Sequence, residues 1–299
     1  MSTRRREVGV IYVNYEDEEH LVESLLSLKE TAVTLIGQVI VVDNASSTFD
    51  SQRINRLFPA IKFIKNRENV GFARANNQAL IELETEYILF VNPDTRFTPG
   101  ALERLVKILQ EAPWVGAVGP LLSPKEGKWQ VSFGHRVNLW GEFIQKFWRN
   151  IVYYRRLGRM RQPREVGWIS AACLLARREA LAAVEGFDER FFIYFEDIDL
   201  CYRLRQHGWR VMFCPAAKVY HWGGTSTSRQ GVWSRYHYRR SQLYFYWKHN
   251  SPLAVVLLRL YLGLLIGWLK GRAFLGREEN QEVISAFSQL LKERFDHEK

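Results

Sequence analysis

Cysteine is scarce in this chain: three thiols (Cys173, Cys201, Cys214) stand apart, with no CxxC pair. An odd, scattered set argues against a disulfide framework and a cysteine-built zinc site, and suits reduced thiols in a cytosolic compartment. Internal repeats and low-complexity tracts are also missing. The apolar run Val8–Val13 that follows Arg4, Arg5 and Arg6 is too short for a signal peptide, so the expectation is a protein that is not exported. Acid is absent where its absence says most. Residues 229–272 hold eight Lys/Arg and not one Asp or Glu.

What is present is a globular composition, 47% hydrophobic with 10 Trp, 13 Tyr and 18 Phe among 299 residues. Such a chain can bury one large domain, or one domain with appendages, and has little scope for long disorder. The net charge of +10 is unevenly divided. Residues 128–165 carry net +7 and residues 229–272 net +8, which leaves −5 for the remainder. Two stretches are therefore suited to an anionic partner, and the rest resembles an ordinary enzyme body.

Short apolar runs at Val8–Val13, Gln38–Val42, Ile61–Ile64, Tyr87–Val91 and Val115–Val118 alternate with helical patterns. That alternation predicts an α/β fold with a mostly parallel central sheet covered by helices. Leu21, Leu25 and Leu28 mark one helical face. Leu102, Leu105, Val106 and Leu109 mark another, with Thr98-Pro99 as its expected cap and first turn. Residues 128–165 interrupt the pattern as a basic, aromatic insertion. A strand-like run at Val166–Ala176, a helix from about Asp197 and a strand near Val211–Cys214 follow. The expected division is a catalytic domain over 1–228 and a helical, membrane-associating region over 229–299.

Polar residues cluster just past the strand ends: Asn14, Asp43-Asn44 and Asn92-Pro93-Asp94. Ligands of open α/β sheets bind at that edge. Asp43 could accept the imide N–H of a uracil or thymine base, although Asx-turn chemistry alone also places such residues there. The segment Asn69-Val70-Gly71-Phe72-Ala73-Arg74 opens a helix with small residues that would let a ribose or phosphate approach the backbone. Asp94 could hold a divalent cation that bridges two phosphates, and His221 could be a second ligand or touch the diphosphate. Phe195-Glu196-Asp197-Ile198-Asp199 sets three acids behind an aromatic cluster. One of them is a candidate general base, while the helix dipole suffices to explain Asp199.

Taken in order, these segments resemble family 2 glycosyltransferases, in particular the bacterial rhamnosyltransferase-like branch. The matching stretches are Val10–Tyr15, Val42–Ser46, Asn69–Ala73, Asn92–Asp94, Gly186–Glu189 and Phe195–Leu200, within roughly residues 7–250. The resemblance implies a GT-A fold and an inverting single displacement from a nucleotide-diphosphate sugar, with dTDP-L-rhamnose favoured. It implies Asp197 as general base with Glu196 beside it, and donor binding by Asn14, Asp43, Asn44, Gly71, Arg74 and Asn92. It further implies a Mg²⁺ or Mn²⁺ ion at Asp94 and His221. The acceptor it suggests is a polyprenyl-linked or cell-surface glycan.

Leu253–Leu269 is apolar except for Arg259, and as a helix it would span about 26 Å, short of a bilayer core. Aromatic and basic residues interleave ahead of it, from Trp233 to Trp247. This favours peripheral or monotopic binding to an anionic membrane at its cytoplasmic face, with a buried core helix or a homo-oligomer interface as the alternative. A nucleic-acid partner is not expected, because acids at successive strand ends would repel phosphate backbone. A nucleotidyltransferase would want a Gly-rich basic loop where Asn14-Tyr15-Glu16-Asp17 stands. A non-catalytic membrane-bound scaffold would leave Asp94 and Asp197 without a role.

Overall fold

All five apolar runs of the first half become strands, because each is flanked by turn residues and is too short for a helix. The computed structural model describes residues 7–124, 130–135, 137, 160–222, 231–274 and 281–295. In chain order its strands are β1 (Val8–Asn14), β2 (Ile36–Asp43), β3 (Ile61–Lys65), β4 (Tyr87–Val91), β5 (Thr95–Phe97), β6 (Val115–Ser123), β7 (Phe133–Gly134), β8 (Arg164–Glu165), β9 (Trp168–Ile169), β10 (Cys173–Arg177) and β11 (Arg210–His221). Its helices are α1 (Glu18–Ala32), α2 (Ser51–Leu57), α3 (Phe72–Leu80), α4 (Ala101–Glu111), α5 (Arg178–Ala183), α6 (Glu196–Gln206), α7 (Gly231–His249), α8 (Pro252–Phe274) and α9 (Gln281–Leu290).

The main sheet has the order β3-β2-β1-β4-β10-β6-β11-β5, with β8 paired to β11. β1 to β4, β6 and β11 run one way, whereas β5, β8 and β10 oppose them. β1 is buried at all its positions, as a central strand covered on both faces must be. One face packs Leu21, Leu25 and Leu28 of α1 and Leu102, Leu105, Val106 and Leu109 of α4. The other packs Ala73 and Ala79 of α3, Leu181 of α5, and Leu200 and Leu204 of α6. Asn14 pairs in register with Asp43, so the polar ends of β1 and β2 lie side by side.

Several local expectations are corrected. The helix expected at Thr98-Pro99 starts at Ala101, after Gly100 at φ 76°. Thr98 does not cap it: its hydroxyl donates to the Lys218 carbonyl at 2.7 Å instead. The run Val166–Ala176 is two strands, β9 and β10, broken by a turn at 170–172. The strand near Val211–Cys214 runs on as β11 to His221, with an irregularity between Cys214 and Lys218 that restores its pairing with β6. Of the basic insertion, residues 128, 129, 136 and 138–159 lie outside the described residues. In its described part, β7 pairs with β9, and Phe133 stacks on Phe213 with ring centroids 3.9 Å apart.

The C-terminal helices share a core with the loop ahead of α6: Phe191 and Phe195 pack with Leu243, Tyr244, Phe245 and Tyr246 of α7 and with Leu258 and Leu262 of α8. The apolar helix is longer than the sequence suggested. At 23 residues it extends about 35 Å, so its length does not prevent spanning. Leu258, Leu262 and Ile266 face inward, while Leu253, Val256, Leu257, Leu260, Leu264 and Trp268 form an exposed ridge. Arg259 donates to the carbonyls of Leu291 and Glu293, at 2.8 and 2.7 Å, just past α9. There it satisfies carbonyls left open at a helix C-terminus.

Asp199 is no surface dipole acid. It is fully buried, and its carboxylate accepts from Arg203 Nε at 2.6 Å, Lys248 Nζ at 2.7 Å and His249 Nε2 at 2.6 Å. Lys248 also reaches Asp188 at 2.7 Å, so one network joins α6, α7 and the 188 loop. Burial alone would raise both carboxyls. The His249 hydrogen bond and the Arg203 and Lys248 charges outweigh it for Asp199, and the Lys248 contact outweighs it for Asp188, so both lie below the usual carboxylate range. The stability they contribute is therefore full above an unfolded aspartate's pKa of about 3.9 and is lost as pH falls below it. Asp199→Ala leaves buried cations unpaired and should destabilise the fold by about 3–5 kcal/mol in urea unfolding at pH 7. The deficit should shrink on acidification, and a variant with wild-type stability at pH 7 would refute the anchoring role.

Candidate active site

Four strand ends and one helix start converge at the edge where β1 and β2 finish. Asn14 is fully buried at the end of β1, and its Nδ2 donates to Asp43 Oδ1 at 3.4 Å and to Ser46 Oγ at 3.2 Å. Its Oδ1 is buried without a hydrogen-bond partner. Ser46 is fixed by the Glu16 N–H at 2.9 Å, and Ala45 takes the left-handed conformation at φ 67° to make this turn.

Asn44 ties this turn to the next. Its Oδ1 accepts from the Val70 N–H at 3.1 Å and from Asn66 Nδ2 at 3.0 Å, and its Nδ2 donates to Asn69 Oδ1 at 2.8 Å. Its part is to shape the loop before α3. Gly71 also has a different reason from the one expected. It sits at φ 86°, and a Cβ there would meet the Phe192 carbonyl oxygen at 2.6 Å. The space over Gly71 is taken by the Phe192 backbone, whose carbonyl accepts the Phe72 N–H at 2.7 Å. Arg74 is exposed, with Glu189 at 3.7 Å as its ionic partner. That partner is no member of the strand-end cluster.

At the centre, Asp94 and His221 are both buried, with Asp94 Oδ1 3.2 Å from His221 Nε2. His221 Nδ1 lies 2.7 Å from Gln130 Oε1, a contact in which Nδ1–H donates. Nε2 is the nitrogen turned to Asp94, and Asn92 Nδ2 lies 3.5 Å from it. Asp94 and His221 thus present an oxygen and a nitrogen side by side. Two adjacent ligands of an octahedral Mg²⁺-sized ion stand about 3 Å apart, close to this separation. Among the described residues no group of three or more His, Cys, Asp and Glu could hold a metal, so the protein itself offers a pair. Gln130 lies 91 residues from His221 in the sequence, within the segment taken as an insertion, and no sequence signal joined them.

Glu196 and Asp197 open α6 directly after two strained residues, Tyr194 at φ 67° and Phe195 at φ 66°. Bulky residues in that region cost on the order of 1–3 kcal/mol each, and such strain persists where surrounding structure imposes it. Here the Ser241 hydroxyl of α7 donates to the Ile193 carbonyl at 2.8 Å, and Tyr238 packs edge-on against both strained rings. The turn aims Asp197 back at the sheet: its Oδ2 accepts the Ala171 N–H at 3.1 Å and its Oδ1 the Ile198 N–H at 2.8 Å. The neighbouring Ala172 carbonyl accepts the Asn92 N–H at 3.0 Å. One short turn therefore connects the acid pair to the Asp94–His221 side.

Burial raises both carboxyls, Glu196 well above the usual range, with the Asp197 charge adding to it. Asp197 has backbone donors that favour its ionised form, whereas Glu196 Oε2 is buried without a partner. Burial therefore bears harder on Glu196 than on Asp197, and the stronger upward shift falls on Glu196.

The fold is shared with solved glycosyltransferases. The mannosyltransferase of Pyrobaculum calidifontis, in complex with GDP-Man and Mn²⁺, aligns over 95% of this chain and 85% of its own, with TM-score 0.60 and 17% identity. GalNAc-T7 with UDP, GalNAc and Mn²⁺ aligns over 80% of this chain with TM-score 0.58 and 14% identity, and the match spans about half, 49%, of that chain. The protein is thus a glycosyltransferase enzyme of the GT-A fold. The chain belongs to glycosyl transferase family 2, whose family model matches residues 9–184. Among curated relatives, the N-acetylglucosaminyl-diphospho-decaprenol L-rhamnosyltransferase of Mycobacterium tuberculosis is 31% identical over 238 residues, covering 74% of this chain and 77% of that protein.

Because ionising buried Glu196 opposes folding, its contribution to stability is full below an unfolded glutamate's pKa, about 4.3, and is lost as pH rises. Glu196→Gln should therefore raise the thermal midpoint at pH 8, with the gain vanishing near pH 4. An equal shift at both values would contradict the burial argument.

Proposed function

We propose that the protein is an inverting glycosyltransferase that moves L-rhamnose from dTDP-L-rhamnose to a polyprenyl-linked or cell-surface glycan. The observation that carries this reading is the turn at 170–172, which tethers Asp197 on one side and Asn92 on the other. It sets a base beside the Asp94–His221 pair. Asp197 takes the proton of an acceptor hydroxyl, and that oxygen forms its bond to the anomeric carbon from the face opposite the leaving group. The bond from that carbon to the diphosphate oxygen breaks, and its electron pair departs with dTDP. Glu196 stays protonated and spares Asp197 a second charge at its side.

Asp94 and His221 would hold Mg²⁺ or Mn²⁺, with Asn92 close by. Such an ion, when bound, stabilises the leaving diphosphate. Asp43 would accept the imide N–H of the base, and the unpartnered Asn14 Oδ1 gives that pocket another acceptor. The M. tuberculosis relative is named for rhamnosyl transfer to a lipid diphosphate, which supports the choice of donor and acceptor.

The basic region 229–299 is proposed as the membrane-associating part, with α8 lying along the cytoplasmic face and not across the bilayer. Its exposed ridge, its partnered Arg259 and the Arg272 guanidinium 4.6 Å over the Trp268 ring suit the headgroup layer. Without detergent the protein should sediment with membranes. Quantitative recovery in a high-speed supernatant would count against this placement.

Asp197→Asn should lower turnover by about 10²–10⁴-fold while donor binding persists. Wild-type turnover would reject Asp197 as the base. In a thermal-shift panel of dTDP-, UDP- and GDP-sugars, the true donor at 100 times its Kd should add about 2.7 kcal/mol, and more with Mn²⁺. A shift confined to GDP-sugars would replace the proposed donor.

A further inference from the structure

Beside the strained turn, a cavity of about 470 Å³ lies between α7, α8 and α9. One part of its lining is polar and cationic, with Arg235, Arg239 and Tyr238 from α7 and Tyr194 from the turn itself. Another is hydrocarbon, including Leu269 of α8 and Phe287 of α9. No carboxylate pairs with Arg235 or Arg239 among the described residues. α7 contains no acid at all, and Glu293 is already engaged by Arg240 at 2.7 Å. Arg239 is steadied instead by Gln242 Oε1 at 2.7 Å and by the rings of Tyr238 and Tyr261, each 5.6 Å away.

Two unneutralised guanidiniums over an apolar floor match an anion that carries a hydrocarbon chain. Guanidinium groups bind phosphate through paired, charge-assisted hydrogen bonds, and the volume falls within the range of ligand pockets. The apolar floor is continuous with the exposed ridge, because Leu265 and Leu269 alternate along α8 with exposed Leu264 and Trp268. Tyr194 stands three residues before Asp197 in the chain, so an anion held here lies next to the segment that positions the base.

We propose that this cavity binds the phosphate-bearing end of the acceptor's lipid carrier, with Arg235 and Arg239 on the phosphate and the first isoprenoid units on the α8–α9 floor. The proposal rests on the lipid-linked reading of the acceptor. It gives α7 a double task, holding the strained turn and anchoring the substrate whose hydroxyl must meet Asp197. A bulk phospholipid headgroup offers similar chemistry, so the test must separate the two.

Binding of farnesyl diphosphate to the full chain would be followed by calorimetry, with inorganic diphosphate and phosphatidylglycerol vesicles as parallel probes. The expected result is saturable farnesyl diphosphate binding, weakened at least tenfold in the R235Q/R239Q variant, with inorganic diphosphate binding far more weakly to the wild type. R235Q alone alters an exposed side chain without an ionic partner, so a smaller loss there keeps the test valid if the double variant misfolds. Inorganic diphosphate binding as tightly as farnesyl diphosphate would overturn the proposal, as would farnesyl diphosphate binding that ignores both substitutions. Vesicle adsorption falling in step with farnesyl diphosphate affinity would also overturn it, assigning the arginines to the bulk membrane. No sugar is transferred in this experiment, so an error in the donor or the base would leave its outcome unchanged.

Discussion

The Asp199 carboxylate is the joint on which the active region depends. Three cationic or hydrogen-bonding side chains from α6 and α7 meet on it, and Lys248 carries the connection onward to Asp188. A buried charge of this kind is tolerated only when its partners are all in place. It therefore enforces one docking of α7 against the loop before α6. That docking sets the Ser241 hydroxyl on the Ile193 carbonyl and packs Tyr238 against the strained rings. It acts alongside the apolar packing of Phe191 and Phe195 on α7 and α8 in holding the left-handed turn.

The strain and the acid pair form one device. A left-handed turn reverses the chain in two residues, so Asp197 arrives beside the Ala171 amide with its neighbour Glu196 buried. Burial raises both carboxyls, and Glu196 further, because the Ala171 and Ile198 amides favour the ionised form of Asp197. The same burial makes Glu196 a liability to the fold, which is a familiar tension between stability and chemistry.

The C-terminal helices show how composition can be informative and still misdirect. The apolar run and its basic flanks are plain in the sequence, and length alone permits a membrane span. Packing assigns the faces: three inward leucine and isoleucine positions, an outer ridge, and an arginine used on carbonyls beyond α9. In the sequence Arg259 was the single break in an apolar run. In the fold it is a connector.

Period and punctuation in the sequence determined the sheet and its helical cover, because apolar runs of strand length separated by helical patterns have few ways to bury themselves. They also set Asn14, Asp43, Asp94 and Asp197 at strand ends and a helix start, since short polar residues are favoured where regular hydrogen bonding stops. Only the tertiary structure decided what each group does. Gln130 meets His221 across 91 residues, Gly71 makes room for the Phe192 backbone, Asn44 organises a loop, and Asp199 gathers cations from a helix about fifty residues away. Such pairings depend on which elements pack together. Periodicity reports the face a residue occupies on its own element but carries no information about the partner opposite it.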